Sequence, residues 1–275
     1  MKKKPFKRIL CVLIAAVMLG SVFASTAAAA TKCACGHSPV VMISGFGATV
    51  LAEKQEDGSL KRVFPPDTKE ILKLLGVNAP DLITGIIKLI AQKGTDGIEK
   101  PMREIITSIV EPLRMNDDGT SFYDIVPILS SAKDTSLEAF TKNGQLDLVP
   151  YTGSEFLDME VIGDEIGDDH VFNFLYDWRL SHADVAAQLH DYLAEVCALT
   201  GHDKVSVYSI SQGCLLLGVY MYEYPNDNYI DRAVFDTPLL AGSNLVSDLY
   251  TDKPISLNFD TTLDILRSIL HTEAD

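Results

Sequence analysis

Short apolar runs alternate with helical patterns over much of this chain. Four runs have the length and composition of buried parallel strands, since polar residues interrupt them little and small or polar residues bound them. They cover residues 39–44, 171–176, 204–208 and 229–236. Between the second and third, residues 183–199 carry an apolar stripe at helical spacing, formed by Val185, Leu189, Tyr192, Leu193 and Val196. This alternation predicts an α/β fold with a mostly parallel sheet.

The ends of the 183–199 helix carry their own signals. Ser181 is placed to cap its first turn, with Asp184 as the reciprocal partner, and Gly201 follows its last turn. The pattern therefore predicts a well-defined helix leading into the third strand.

Residues 64–113 predict helices, and the wider segment of about 63–150 is expected to be an insertion in the α/β domain. Ile71, Leu74 and Leu75 share one face, residues 80–90 form a second stripe, and Met102, Ile105, Ile106 and Ile109 a third. Such stripes usually pack into a core, although a lid that meets lipid is the alternative. Residues 116–167 are rich in Asp, Gly, Ser and Pro, and the Asn-Asp-Asp-Gly string at 116–119 predicts a solvated turn rather than a calcium loop.

Ser211 lies where the third strand meets an apolar helical stretch, in the pentapeptide Ser209-Ile210-Ser211-Gln212-Gly213. Strand, tight turn and helix in this order form a nucleophile elbow, which exposes a serine hydroxyl above the carboxyl end of a sheet. Ser209 departs from the usual glycine but is also small. The alternative is a polar turn that enters an ordinary helix.

A second small-residue loop follows the first strand, at Gly45-Phe46-Gly47-Ala48-Thr49. In this architecture the loop after an early central strand supplies a backbone N–H to the oxyanion hole, and glycines let the backbone approach the reacting carbonyl. A plain strand-to-loop turn is the alternative.

The N-terminus predicts export. Five basic residues precede an apolar run at residues 9–19, and small residues at 25–30 suit cleavage near Ala30. Residues 1–30 are therefore expected to be a secretory signal peptide, and 31–275 a secreted chain. The apolar run is too short for a membrane anchor, and no second long apolar segment indicates a transmembrane span.

Charge excludes some partners. The chain contains 23 Lys and Arg against 38 Asp and Glu, and without the five basic residues of the leader the balance is about −20. Such acidity argues against nucleic acid and anionic membrane surfaces as electrostatic partners. No cofactor is expected.

Four cysteines remain after the leader: Cys33, Cys35, Cys197 and Cys214. An oxidising compartment permits disulfides, but four cysteines allow three pairings and the sequence does not choose among them. No zinc site is expected, because no second close pair of ligands accompanies Cys33 and Cys35 at zinc-finger spacing. Cys214, three residues after Ser211, is expected to be buried rather than reactive.

Taken together, four segments resemble the lecithin:cholesterol acyltransferase and phospholipid:diacylglycerol acyltransferase family, with the related lysosomal phospholipases. They are PVVMISGFGATVL at residues 39–51, YDWRL at 176–180, the elbow at Ser211, and the strand and turn at 230–243. The YDWRL string, about thirty residues before the elbow, is the most specific of them. The resemblance implies an α/β-hydrolase fold and a lipid ester as substrate, with the segment 63–150 matching only as a lid-like insertion.

The resemblance also implies roles. Ser211 would be the nucleophile that transfers an acyl group to a lipid alcohol or to water, and the backbone N–H groups of Phe46 and Gln212 would hold the oxyanion. Asp177, Trp178 and Arg179 would lie beside the site as packing and positioning residues. For Arg179 a surface ion pair is the alternative.

The remaining members of a catalytic triad are not evident. An α/β-hydrolase places its acid and then its histidine after the serine, and the one histidine after Ser211 is His271. Three interpretations follow. The chain is truncated before the last strands and the base lies further on, or His271 serves as a weak alternative base, or the protein is a non-catalytic relative that binds lipid or a surface.

Overall fold

The structure is a computed structural model that describes residues 32–66, 104–149 and 159–242, together with the single positions Lys73 and Gly76. The expected signal peptide, most of the expected helices between residues 64 and 113, and His271 lie outside these residues.

Seven strands and four α-helices are numbered here in chain order within that described part. The strands are β1 (Val40–Ile43), β2 (Leu51–Lys54), β3 (Leu60–Phe64), β4 (Ile125–Pro127), β5 (Val171–Phe174), β6 (Val205–Ile210) and β7 (Ile230–Asp236). The helices are α1 (Leu137–Asn143), α2 (Met159–Ile166), α3 (His182–Thr200) and α4 (Gln212–Glu223). Short 3-10 helices span Glu111–Leu113, Ala132–Asp134, Leu146–Leu148 and Asp168–His170.

The four strands predicted from the apolar runs form one sheet. Its order is β5-β1-β6-β7 and every neighbouring pair is parallel. Val41 lies opposite Phe172 on one side and Val207 on the other. All three side chains are buried, because helices and loops cover both faces of the sheet. The predicted α/β class with a mostly parallel sheet is therefore confirmed.

Helix α3 follows its predicted pattern except at its first turn. All five residues of the apolar stripe are buried, and Gly201 ends the helix in the left-handed conformation with φ 68°. Ser181 occupies the N-cap position, but its side chain makes no capping hydrogen bond, so the capping box with Asp184 is not formed. The apolar stripe of α3 packs in the main core against buried residues of α4 and against Val41, Phe172 and Val207 of the sheet.

A second, antiparallel sheet of order β3-β2-β4 was not predicted. Its strands have only three to five residues, and β3 carries exposed charged side chains. The sequence therefore shows no regular alternation of apolar and polar residues that would predict them. The helical insertion expected at about 63–150 therefore also contains strand structure, because β4 lies inside it and β3 ends at its start.

Parts of the insertion do match the prediction. Residues 104–110 are helical, and of the described residues of the third stripe Ile105 and Ile109 are half-buried whereas Ile106 is 51% exposed. The turn at 116–119 is present, with the Gly119 N–H donating to the Asn116 carbonyl at 3.0 Å. Within the described ranges, no helix combines the length and the apolar character needed to cross a bilayer.

Candidate functional site

Ser211 lies in a strained turn between β6 and α4. Its φ of 53° and ψ of −117° are rare for a residue with a side chain, and such strain costs of order 1–3 kcal/mol. The turn is held because the Ser211 N–H donates to the carbonyl of Asp236 at the end of β7, at 3.0 Å. The hydroxyl does not cap its own helix. Strand, turn and helix thus have the order and the backbone strain of a nucleophile elbow.

Two glycines leave room for this turn. A methyl group on Gly213 would lie 2.4 Å from the Ile43 carbonyl oxygen and 2.7 Å from that of Ser44, so α4 could not approach β1 as it does. A methyl group on Gly45 would lie 3.0 Å from the Cβ of Ser211 and 3.4 Å from its hydroxyl oxygen. The loop after β1 therefore lies against the side chain of Ser211.

Ser209, which stands where the elbow usually has glycine, is fully buried. Its hydroxyl donates to the Val234 carbonyl oxygen at 2.8 Å, so the extra polar group is satisfied by β7. The thiol of Cys214 lies beneath the turn, 3.2 Å from the carbonyl oxygens of Ser209 and Asp236. Cys214 is fully buried, as predicted, and this burial raises the pKa of its thiol.

The two expected oxyanion donors belong to the elements that meet at Ser211. Gln212 is the first residue of α4, where a backbone N–H has no carbonyl partner within the helix. Phe46 directly follows Gly45, the glycine that touches Ser211. The side-chain amide of Gln212 donates to the Trp178 carbonyl oxygen at 2.9 Å, which connects the elbow to the YDWRL segment.

An aromatic group borders the site. The ring of Trp178 makes edge-on contacts with Phe46 and Phe64, at centroid distances of 4.4 and 5.2 Å. Trp178 is only 6% exposed, whereas Phe46 is 70% exposed. A large apolar side chain thus projects into solvent next to the turn at Ser211 and packs on Trp178, the only tryptophan of the chain.

Asp177 and Arg179 form a buried ion pair. The Arg179 guanidinium donates from Nε to Asp177 Oδ1 at 2.9 Å and from Nη2 to Oδ2 at 2.6 Å, with both side chains less than 5% exposed. Nη2 also donates to the Ser121 hydroxyl at 2.9 Å. The alternative of a surface ion pair at Arg179 is therefore wrong. Because the pair is bidentate and enclosed, it fixes the backbone on both sides of Trp178.

Tyr176 links the two loops of the site. Its hydroxyl donates to the Ser44 carbonyl oxygen at 2.8 Å, and its backbone N–H donates to the Thr49 hydroxyl at 3.4 Å. Burial raises the pKa of the Tyr176 phenol, so it remains a neutral hydrogen-bond donor. The predicted site segments therefore meet at the carboxyl edge of the parallel sheet: the turn at Ser211, the 45–49 loop and residues 176–180.

The described residues supply no histidine that could act as a general base for Ser211. Among residues 32–66, 104–149 and 159–242, no histidine ring lies within hydrogen-bonding distance of the Ser211 hydroxyl. His170 and His202 contact cysteines near the amino ends of the strands, and His190 pairs with Asp227. His271, the weak alternative base, falls outside the described residues.

One group of side chains could hold a metal, and sequence reasoning missed it. The ligand atoms of Cys33, Cys35, His170 and His202 all lie within 4.8 Å of one another. The histidines are more than 130 residues from the cysteines along the chain, so no local spacing reveals the group. The four cysteines that the structure describes, Cys33, Cys35, Cys197 and Cys214, are free thiols.

Comparison of the chain with protein-family models and with curated protein sequences found no match.

Proposed function

We propose that this protein is an exported serine enzyme of the α/β-hydrolase type that moves an acyl group from a lipid ester to a hydroxyl or to water. The observation that carries the proposal is the strained backbone of Ser211 between a parallel strand and a helix, with Gly213 and Gly45 packed against the turn. Strain of this kind in a residue with a side chain persists where the surroundings enforce it, and it concentrates at functional sites.

The chemistry assigned to the site is acyl transfer through a covalent intermediate. The Ser211 oxygen attacks the ester carbonyl while its proton passes to a base, and the resulting oxyanion accepts hydrogen bonds from the backbone N–H groups of Gln212 and Phe46. Collapse releases the alcohol and leaves acyl-Ser211, which a second hydroxyl or water then attacks. Loss of one oxyanion donor typically slows such reactions by about a hundred- to a thousandfold.

A lipid ester is favoured by the aromatic border and by the resemblance of the YDWRL, elbow and loop segments to lipid acyltransferases. Phe46 exposes most of its ring beside the nucleophile and rests on Trp178. An apolar side chain in this place suits an acyl chain better than a sugar or a charged peptide. The buried Asp177–Arg179 pair holds Trp178 in position for that contact.

The proposal requires a base that the described residues do not supply, with His271 as the weak alternative. A second candidate function follows from the same observation: a relative that binds lipid at this surface without turning it over. A serine without a base is a weak nucleophile, so the alternative predicts lipid association with no ester cleavage.

Hydrolysis of nitrophenyl esters of increasing chain length separates these functions. We expect turnover that rises with chain length, is lost in Ser211→Ala and is retained in Ser206→Ala, a matched change on the same strand. Turnover that persists in Ser211→Ala contradicts the proposal. Absence of turnover with intact binding to lipid micelles favours the second candidate.

A further inference from the structure

Four side chains of metal-binding type converge at the amino ends of the parallel strands. The Nε2 atom of His170 lies 3.8 Å from the sulfur of Cys33 and 3.8 Å from that of Cys35. The Nε2 atom of His202 lies 3.4 Å from the sulfur of Cys35. All four ligand atoms lie within 4.8 Å of one another, so a single ion could contact all of them.

These distances match a tetrahedral zinc site. With Zn–S about 2.3 Å and Zn–N about 2.0–2.1 Å, tetrahedral geometry places a sulfur and a nitrogen ligand about 3.6 Å apart. The three sulfur–nitrogen distances above, 3.4 to 3.8 Å, lie around that value. Two thiolates with two imidazoles are also a ligand set that favours Zn²⁺ over Mg²⁺ or Ca²⁺, which prefer oxygen.

The surroundings orient the ligands. Asp169 contacts Nδ1 of the His170 ring at 2.8 Å, which leaves Nε2 of the neutral ring as the acceptor that faces the cysteines. A carboxylate behind a histidine ligand is the usual outer partner in zinc sites. The Cys33 N–H donates to the Gly201 carbonyl oxygen at 3.0 Å, directly before His202, so the backbone also joins the cysteine segment to the end of α3.

The position of the cluster indicates a structural role. Cys33 and Cys35 precede β1, His170 immediately precedes β5, and His202 lies between α3 and β6. These are three neighbouring strands of the sheet, in the order β5-β1-β6. Ser211 follows the last residue of β6, so the cluster and the candidate active site lie at opposite edges of the sheet.

We propose that Cys33, Cys35, His170 and His202 form a structural Zn²⁺ site that fastens the segment before β1 to the amino ends of three adjacent strands. Four protein ligands close the coordination sphere, which is typical of structural rather than catalytic zinc. The proposal departs from the sequence-based expectation of no metal site, because folding brings together ligands that are far apart in the chain. It is independent of the chemistry proposed at Ser211.

The competing state is a disulfide between Cys33 and Cys35. Export favours oxidation, whereas bound zinc holds both cysteines as thiolates and protects them. The two states differ in metal content and in the number of free thiols.

Metal analysis of the whole chain, purified under reducing conditions with added ZnCl₂, tests the proposal. We expect one zinc ion per chain and a rise in unfolding temperature relative to chelator-treated protein. After exchange with Co²⁺, the visible spectrum should have the intense bands of a tetrahedral ion and a thiolate charge-transfer band. Octahedral Co²⁺ without the thiolate band, or no metal uptake by fully reduced protein, overturns the proposal.

Variants locate the site. Cys33→Ser/Cys35→Ser should lose the metal and the rise in unfolding temperature, whereas His37→Gln, an exposed histidine beside the cysteines, should retain both. Asp169→Asn changes a largely exposed side chain and leaves all four ligands in place. It should weaken zinc binding by about 10- to 100-fold, because the carboxylate behind His170 is lost. The Asp169→Asn variant therefore still tests the zinc site if the double cysteine variant does not fold. Unchanged zinc affinity in Asp169→Asn and in the double variant contradicts the assignment.

Discussion

Substitution of Gly213 tests whether close packing between α4 and β1 builds the strained turn at Ser211. Alanine at this position would bring a methyl group to 2.4 Å from the Ile43 carbonyl oxygen, a backbone atom that cannot rotate away. Overpacking of this kind costs about 1–3 kcal/mol, and more where the helix must move. Gly218 in the same helix is a matched control, because its added methyl group would meet only the Leu240 side chain at an ordinary 3.6 Å.

The two variants should change stability in opposite directions. Gly218→Ala should raise the free energy of unfolding by about 0.5–1 kcal/mol, since alanine is favoured over glycine in a helix interior. Gly213→Ala should lower it, so the two variants should differ by about 1.5–4 kcal/mol. Urea unfolding measures both free energies, and the slope of free energy against urea concentration should be the same for the two variants. Equal stability of the two variants would refute the close approach of α4 to β1.

The remaining predictions address the border of the site and its titration. Arg179→Met should cost about 3–5 kcal/mol in urea unfolding, because it leaves the buried Asp177 carboxylate unpaired, and a small loss would contradict the enclosed ion pair. Phe46→Ala should shift the emission of Trp178, the only tryptophan, to longer wavelength by admitting water to its ring, so an unchanged spectrum would count against their contact. Burial raises the pKa of Cys197 from 9.0 to about 11. As the pH rises, the thiol of the unfolded chain loses its proton before the thiol of the folded protein does. The free energy of unfolding should therefore fall between about pH 9 and 11, and it should fall less steeply in Cys197→Ala.

The sequence predicted the features that depend on local pattern. Buried parallel strands read as apolar runs, and β1, β5, β6 and β7 were found near their predicted bounds. The strand-turn-helix order also placed Ser211 in its strained turn. These predictions succeed because chain neighbours alone determine apolar period and turn chemistry.

Features that depend on distant contacts were missed. The strands β2, β3 and β4 have only three to five residues, too few to show a clear apolar period, and β3 is also largely polar. They exist because they pair with one another. The burial of Arg179 requires the Ser121 segment to cover it, 58 residues away in the chain. Cys33 and His202 meet only because β1 and β6 are neighbours in the sheet.

Labelling by a long-chain fluorophosphonate tests the central claim most directly. The account predicts that the probe attaches covalently to Ser211, identified by mass spectrometry of the modified peptide, and that the label is absent in Ser211→Ala but present in Ser206→Ala. Folded protein that binds lipid yet leaves Ser211 unlabelled would contradict its role as an acyl-transfer nucleophile.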